Sequence, residues 1–154
     1  MTTFKHSSEM KKLPEFLYHG TDCKNVESIC EHGIRPGNYE TCNPYSRADT
    51  TGASHVDDCL GNVSMAVKES DAIFFIVANR GMEGWNKPQC IFKIRTSKLP
   101  KEKLFFRDLS GTKLGEAKLM DRNGVPPLAI EGYKVREFHE KGKATETFHK
   151  CRVR

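Results

Sequence analysis

The stretch from residue 16 to residue 33 constrains this chain most, because it passes from strand to helix through a turn suited to holding a ligand. Residues 16–20 read as a short apolar strand ending in the polar run Tyr18-His19-Gly20-Thr21. Val26, Ile29, Cys30 and Ile34 then recur at helical spacing, which predicts a helix over residues 25–32. Gly33 stands where a left-handed C-cap belongs. Thr21 and Asp22 are placed to cap the first amides of that helix. In the turn, His19 offers a ring nitrogen to a hydroxyl. Gly20 lacks the Cβ that would keep a flat ring away from the backbone. Taken alone, His19 also reads as a side chain filling a gap at an ordinary strand–helix junction.

The rest of the pattern is mostly strands. Cys90, Phe92 and Ile94 alternate with Ile91, Lys93 and Arg95, so residues 89–96 form the clearest strand. Residues 62–67 alternate as well, and 104–106, 116–120 and 129–138 are further strand candidates. Asn123-Gly124 and Pro126-Pro127 mark a turn before the last of these. Ser70-Asp71 favours a helical start for residues 72–79, although their continuous apolar run also suits a buried strand; Phe74 and Phe75 there read as core. Residues 35–61 lack apolar periodicity and are rich in Gly, Asn, Thr, Ser and Asp, a long loop expected to order over a ligand. With no internal repeat and no second composition regime, the chain reads as one α+β domain. Residues 1–15 are expected to be a flexible arm and 16–154 the folded domain.

Composition narrows the setting. At 154 residues, 37% hydrophobic and a mean hydropathy of −0.60, the chain is expected to have a compact core and a polar surface. No run approaches the ~18 apolar residues that span a bilayer. Residues 1–12 are polar and basic with no apolar stretch, which argues against a secretory signal and for a cytoplasmic protein. Cys23, Cys30, Cys42, Cys59, Cys90 and Cys151 form no C-x-x-C pair, so they read as small apolar fillers or surface thiols, with no metal site. The net charge of +5 is concentrated late: residues 134–154 hold seven Lys or Arg against three Glu. Phe138, His139, Phe148 and His149 are interleaved with those charges. Such a stretch suits a phosphate backbone with bases to stack, or equally a solvated terminal strand.

Leu17-Tyr18-His19-Gly20-Thr21, the helix through Val26 and Ile29, and Gly33-Ile34-Arg35-Pro36 together resemble the nicotinamide-binding strand and helix of the ADP-ribosyltransferase superfamily. Poly(ADP-ribose) polymerases, tRNA 2′-phosphotransferases and DarT-type toxins share this lead-in. Gly115-Glu116-Ala117-Lys118-Leu119-Met120, followed by Pro126-Pro127-Leu128-Ala129-Ile130 and Gly132-Tyr133-Lys134-Val135, is similar to the catalytic segment of DarT-type toxins. The resemblance implies an ADP-ribosyltransferase-like fold of two small packed β-sheets with a few helices, and NAD as co-substrate. It places His19 at the nicotinamide ribose and the Gly20 backbone at the nicotinamide amide. Thr21, Ser64 and Tyr45 become further NAD neighbours, with Tyr39 as the alternative to Tyr45. Glu116 becomes the catalytic carboxylate, with Glu131 as the alternative. Arg47, in the long loop, is a second catalytic candidate, for the pyrophosphate or the reacting base.

The flank of Glu116 lacks the Q/E-x-E pattern of arginine-modifying transferases. That argues against an arginine modifier and leaves a nucleobase or another side chain as acceptor. With the basic, aromatic-interleaved late stretch, the expected activity is transfer of ADP-ribose to a base of single-stranded DNA or RNA, in toxin or phage-defence biology. Lys141, Lys143, Lys150 and Arg152 would hold the nucleic acid. A monomer is expected, with an antitoxin or immunity protein as a further partner. The alternatives are a protein-modifying effector and a non-catalytic relative that only binds NAD or nucleic acid. A tRNA 2′-phosphotransferase fits less well, because the H-L-S-like strand of that group is absent.

Overall fold

Alternating side chains build the molecule. In a computed structural model, which describes residues 4–36, 61–72, 89–109, 114–138 and 144–151, eight strands are formed. They are β1 (Lys5–His6), β2 (Phe16–Asp22), β3 (Val63–Ala66), β4 (Gln89–Arg95), β5 (Leu104–Leu109), β6 (Leu114–Leu119), β7 (Ile130–Phe138) and β8 (Ala144–His149). All pair antiparallel, in the order β1-β5-β6-β3-β2-β4-β7-β8. Opposed residues share a face, and the faces alternate along each strand. One face carries Leu17, Met65, Phe92, Ile94, Leu104, Ala117 and Leu119, all buried. The α-helix α1 (Val26–His32) closes over this face with Ile29 in the core. The other face carries Phe16, Tyr18, Ser64, Lys93, Arg107, Glu116 and Lys118. It is the polar side of the sheet.

The expected two packed sheets are in fact one. The four-stranded halves β1-β5-β6-β3 and β2-β4-β7-β8 are joined along the β2–β3 line by one register pair, Tyr18↔Ala66. β2 and β4, by contrast, pair along all seven residues of each. Alternation in a sequence specifies a strand's faces but not which edges meet, so this junction was not readable.

Two local expectations also change. A 3₁₀ turn, Cys23–Asn25, precedes α1, and Asp22 makes no side-chain capping bond. Instead the Asn25 amide donates to the Thr21 hydroxyl at 2.9 Å. Four of the six cysteines are not fillers or idle thiols: Cys23 is disulfide-bonded to Cys90 and Cys30 to Cys151. The first bond ties the end of β2 to β4, and the second ties α1 to the segment after β8. Cys42 and Cys59 lie outside the described residues, as do Phe74, Phe75, Tyr39, Tyr45 and Arg47. Residues 69–72 are helical, so Ser70 and Asp71 lie inside the helix rather than before it, and residues 73–79 of the expected helix lie outside the described residues.

Past α1 the chain crosses the β6–β7 connection through an isolated bridge, Ile34↔Val125. Gly33 and Gly124 flank it with φ of +82° and +68°. A Cβ on Gly33 would lie 2.0 Å from the Val125 carbonyl oxygen, and one on Gly124 would lie 2.0 Å from that of Ile34. Only glycine fits either place. At the opposite edge β1 pairs with β5, so part of the expected arm belongs to the sheet. His6 fixes it further, its Nε2 lying 2.8 Å from the Glu102 carbonyl oxygen.

Candidate active site

The single pair joining β2 and β3 marks a seam that opens toward Asp22 on one side and Asn62 on the other. His19 stands next to that pair, and its Nδ1 lies 2.9 Å from the carbonyl oxygen of Ser64. The imidazole thus bonds across the seam to the backbone of the neighbouring strand. Gly20 and Thr21 follow along the opening, with Thr21 buried. Sequence reasoning grouped His19, Gly20, Thr21 and Ser64, and the fold brings these four together.

Glu116 lies two strands from β2. Tyr18, Ala66 and Glu116 form one row across β2, β3 and β6 and share the polar face. At about 4.8 Å per strand step, the β2 and β6 backbones are about 10 Å apart there. His19 alternates toward the other face, so its ring and the Glu116 carboxylate approach the seam from different sides. Glu116 is only 8% exposed, and the Arg107 Nε donates to its Oε2 at 2.8 Å. The Phe4 ring covers Arg107, whose guanidinium carbon is 4.4 Å from the ring centroid, and the Lys118 ammonium is 4.9 Å from that centroid. Tyr18, on the same row, has its phenol pKa raised by burial and, secondarily, by Glu69. It therefore stays a hydrogen-bond donor at neutral pH.

Glu131, the alternative carboxylate, is differently employed. It lies in β7 and pairs with the Arg95 guanidinium, which also reaches Glu15. The hydrogen bond from Arg95 and the charge behind it lower the Glu131 pKa. A lowered folded pKa means a stabilising contribution present at neutral pH and lost as pH falls through the carboxylate range. That is a structural pair in a partly solvated place.

At the end toward which the seam opens, an open cavity of about 590 Å³ is lined by His32, Arg35, Pro36, Gly61, Arg122 and Asn123. Two guanidinium groups and an imidazole facing one space suit an anion such as a pyrophosphate. Sequence reasoning quoted Arg35 but assigned it nothing, and missed Arg122 and Arg107. Arg107 had a signal: counting outward from the loop between β5 and β6 opposes it to Glu116, as the register shows.

No protein-family model matches the sequence, and no curated protein matches it. Among solved structures, EcPltA is similar with a TM-score of 0.55 and 10% identity, over 87% of this chain and 83% of that one. The chain has an ADP-ribosyltransferase-like fold. It is the fold that the sequence resemblance implies, and the similarity does not extend to DarT-type toxins in particular.

Within the ADP-ribosyltransferase-like fold, the described residues of the late basic stretch lie in and just past β7 and β8, not beside the strand of Glu116. β3, β2 and β4 intervene between β6 and β7, a backbone separation of about 19 Å at the usual strand spacing. Lys150 is exposed just past the outer strand β8. Lys141, Lys143 and Arg152 lie outside the described residues. Among the described residues no group of three or more His, Cys, Asp or Glu is placed to hold a metal ion.

Proposed function

We propose that the protein is an NAD-dependent mono-ADP-ribosyltransferase whose acceptor is a protein side chain. The observation that carries this is the His19–Ser64 contact at the seam, with Glu116 buried one strand beyond it. Cleaving NAD breaks the bond from C1′ of the ribose to the nicotinamide nitrogen. The bonding electrons leave with neutral nicotinamide, and positive charge develops on the sugar as in glycoside cleavage. The acceptor then bonds to C1′ and loses its proton. A carboxylate near the sugar stabilises that charge, and Glu116 is the candidate for this role. From one side of the seam His19 suits a ribose hydroxyl, Ser64 borders NAD from the side that carries Glu116, and the Gly20 backbone admits the flat nicotinamide ring. His32, Arg35 and Arg122 suit the pyrophosphate. Arg47 and Tyr45 remain candidates from the sequence alone.

One observation favours a protein acceptor over a nucleobase: the basic stretch proposed to hold nucleic acid starts four strands away from Glu116. We also read the two disulfides as maturation in an oxidising compartment, against the cytoplasmic expectation, because such bonds form and persist there. The nucleic-acid reading rests on exposed Phe148 and Lys150 at the outer strand.

The test is to incubate purified protein with NAD labelled in the adenosine half, and separately with extract protein, single-stranded DNA and RNA. Label is expected on polypeptides, in the wild type and not in Glu116→Gln. Label on DNA or RNA alone would restore the nucleic-acid reading, as would loss of labelling on charge reversal of Lys150.

A further inference from the structure

We propose that the N-terminal strand is a positioning element of the catalytic centre, in which Phe4 seats Arg107 and Arg107 sets the Glu116 carboxylate. The inference rests on the role given to Glu116 above. Three strands contribute one continuous row. Lys5 of β1 opposes Phe106 of β5, which brings Phe4 beside Arg107, and Arg107 opposes Glu116 of β6. The contacts follow that register: the Phe4 ring is 4.4 Å from the Arg107 guanidinium carbon, and the Arg107 Nε is 2.8 Å from Glu116 Oε2.

A lone carboxylate on a strand retains rotamer freedom about its side-chain torsions. A guanidinium bond at one oxygen fixes that oxygen and leaves the other to face the sugar. The guanidinium is itself on a long flexible stem, and an aromatic face over it removes much of that freedom. Lys118 reaches the same ring, its ammonium 4.9 Å from the centroid. Phe4 therefore gathers the two cations that flank Glu116. The strand that brings it is two residues long and is tied down by the pairing of His6 with Phe105 and by the contact of the His6 ring with the Glu102 carbonyl. Catalysis is sensitive to such placement, since a displacement of about 1 Å can cost about 10²-fold in rate. Neither Phe4 nor Arg107 need touch NAD; both act through Glu116.

The test is a double-mutant cycle on nicotinamide release from NAD by the full chain, using Phe4→Ala, Arg107→Ala and the double variant, with melting temperatures measured alongside. Arg107→Ala is expected to lower kcat by about 10- to 100-fold with KM within about threefold of wild type. Arg107→Lys, which keeps the charge and loses the fork, should recover part of the loss. Phe4→Ala should lower kcat by a smaller factor. The double variant should be no slower than Arg107→Ala alone, because Phe4 acts through Arg107. Should Arg107→Ala fail to fold, Arg107→Lys and Phe4→Ala complete the cycle. Unchanged kcat in folded Arg107 variants, or losses that multiply in the double variant, would overturn the inference while the wild type still releases nicotinamide. A wild type that releases none overturns the catalytic reading itself, and this inference with it.

Discussion

Replacing Glu116 with Gln is expected to lower kcat for nicotinamide release by about 10²–10³-fold while NAD affinity stays within a few-fold of wild type. The charge that Glu116 opposes appears mainly in the transition state, so its removal should leave ground-state binding nearly untouched. Gln keeps an oxygen for the Arg107 Nε, so the 2.8 Å contact has a neutral replacement and the strand pairing around it is retained. Glu131→Gln is the matched control. Its carboxylate is engaged by Arg95 on a strand four steps from β6, and kcat should hold within about twofold. Initial rates of nicotinamide release, with NAD affinity by calorimetry, separate the two variants. A larger loss from Glu131→Gln would transfer the catalytic role to β7.

Reduction of the disulfides should cost the fold heavily. Cys23–Cys90 and Cys30–Cys151 close sequence separations of 67 and 121 residues. Chain-entropy arguments give about 4–5 kcal/mol for loops of such length, and measured values typically run about 2–4 kcal/mol. The two loops overlap, so the contributions do not simply add. For a domain of this size 1 kcal/mol shifts Tm by about 2–4 °C. Treatment with dithiothreitol should therefore lower Tm by about 5–15 °C, and Cys30→Ser with Cys151→Ser should reproduce part of the fall. α1 is held at its middle by Cys30 and at its end by the Ile34↔Val125 bridge, so its cover over the core should loosen first. A Tm unmoved by reductant would mean that these cysteines act as thiols.

What was legible in the sequence follows from how local each signal is. β2, α1 and β4 lie in alternating or helically spaced apolar runs, and the positive φ of Gly33 follows from its place after the helix. The expected cluster of His19, Gly20, Thr21 and Ser64 needed a single long-range fact, that residues 63–66 pair beside β2. The superfamily resemblance supplied it. The cysteine pairing had no local signal at all, because partners 67 and 121 residues apart leave no spacing rule to read. β8 was hidden for a different reason. Its Glu and Thr content, between Lys143 and Lys150, reads as a solvated tail until Tyr133 and Val135 are seen to oppose His149 and Thr147. β1 was hidden by its two-residue length. The ionic partners of the two candidate glutamates, Arg107 and Arg95, depend on strand neighbours rather than on flanking residues, and that dependence separates Glu116 from Glu131 in their surroundings.

On this proposal NAD is held at the β2–β3 seam. The most direct measurement of this is the change in backbone amide chemical shifts of isotopically labelled protein on titration with NAD. Shifts are expected at Gly20, Thr21 and Ser64, with smaller ones at Arg35 and Arg122, and they should vanish in a folded His19→Ala variant. No change at millimolar NAD, or changes confined to β7 and β8, would contradict the account.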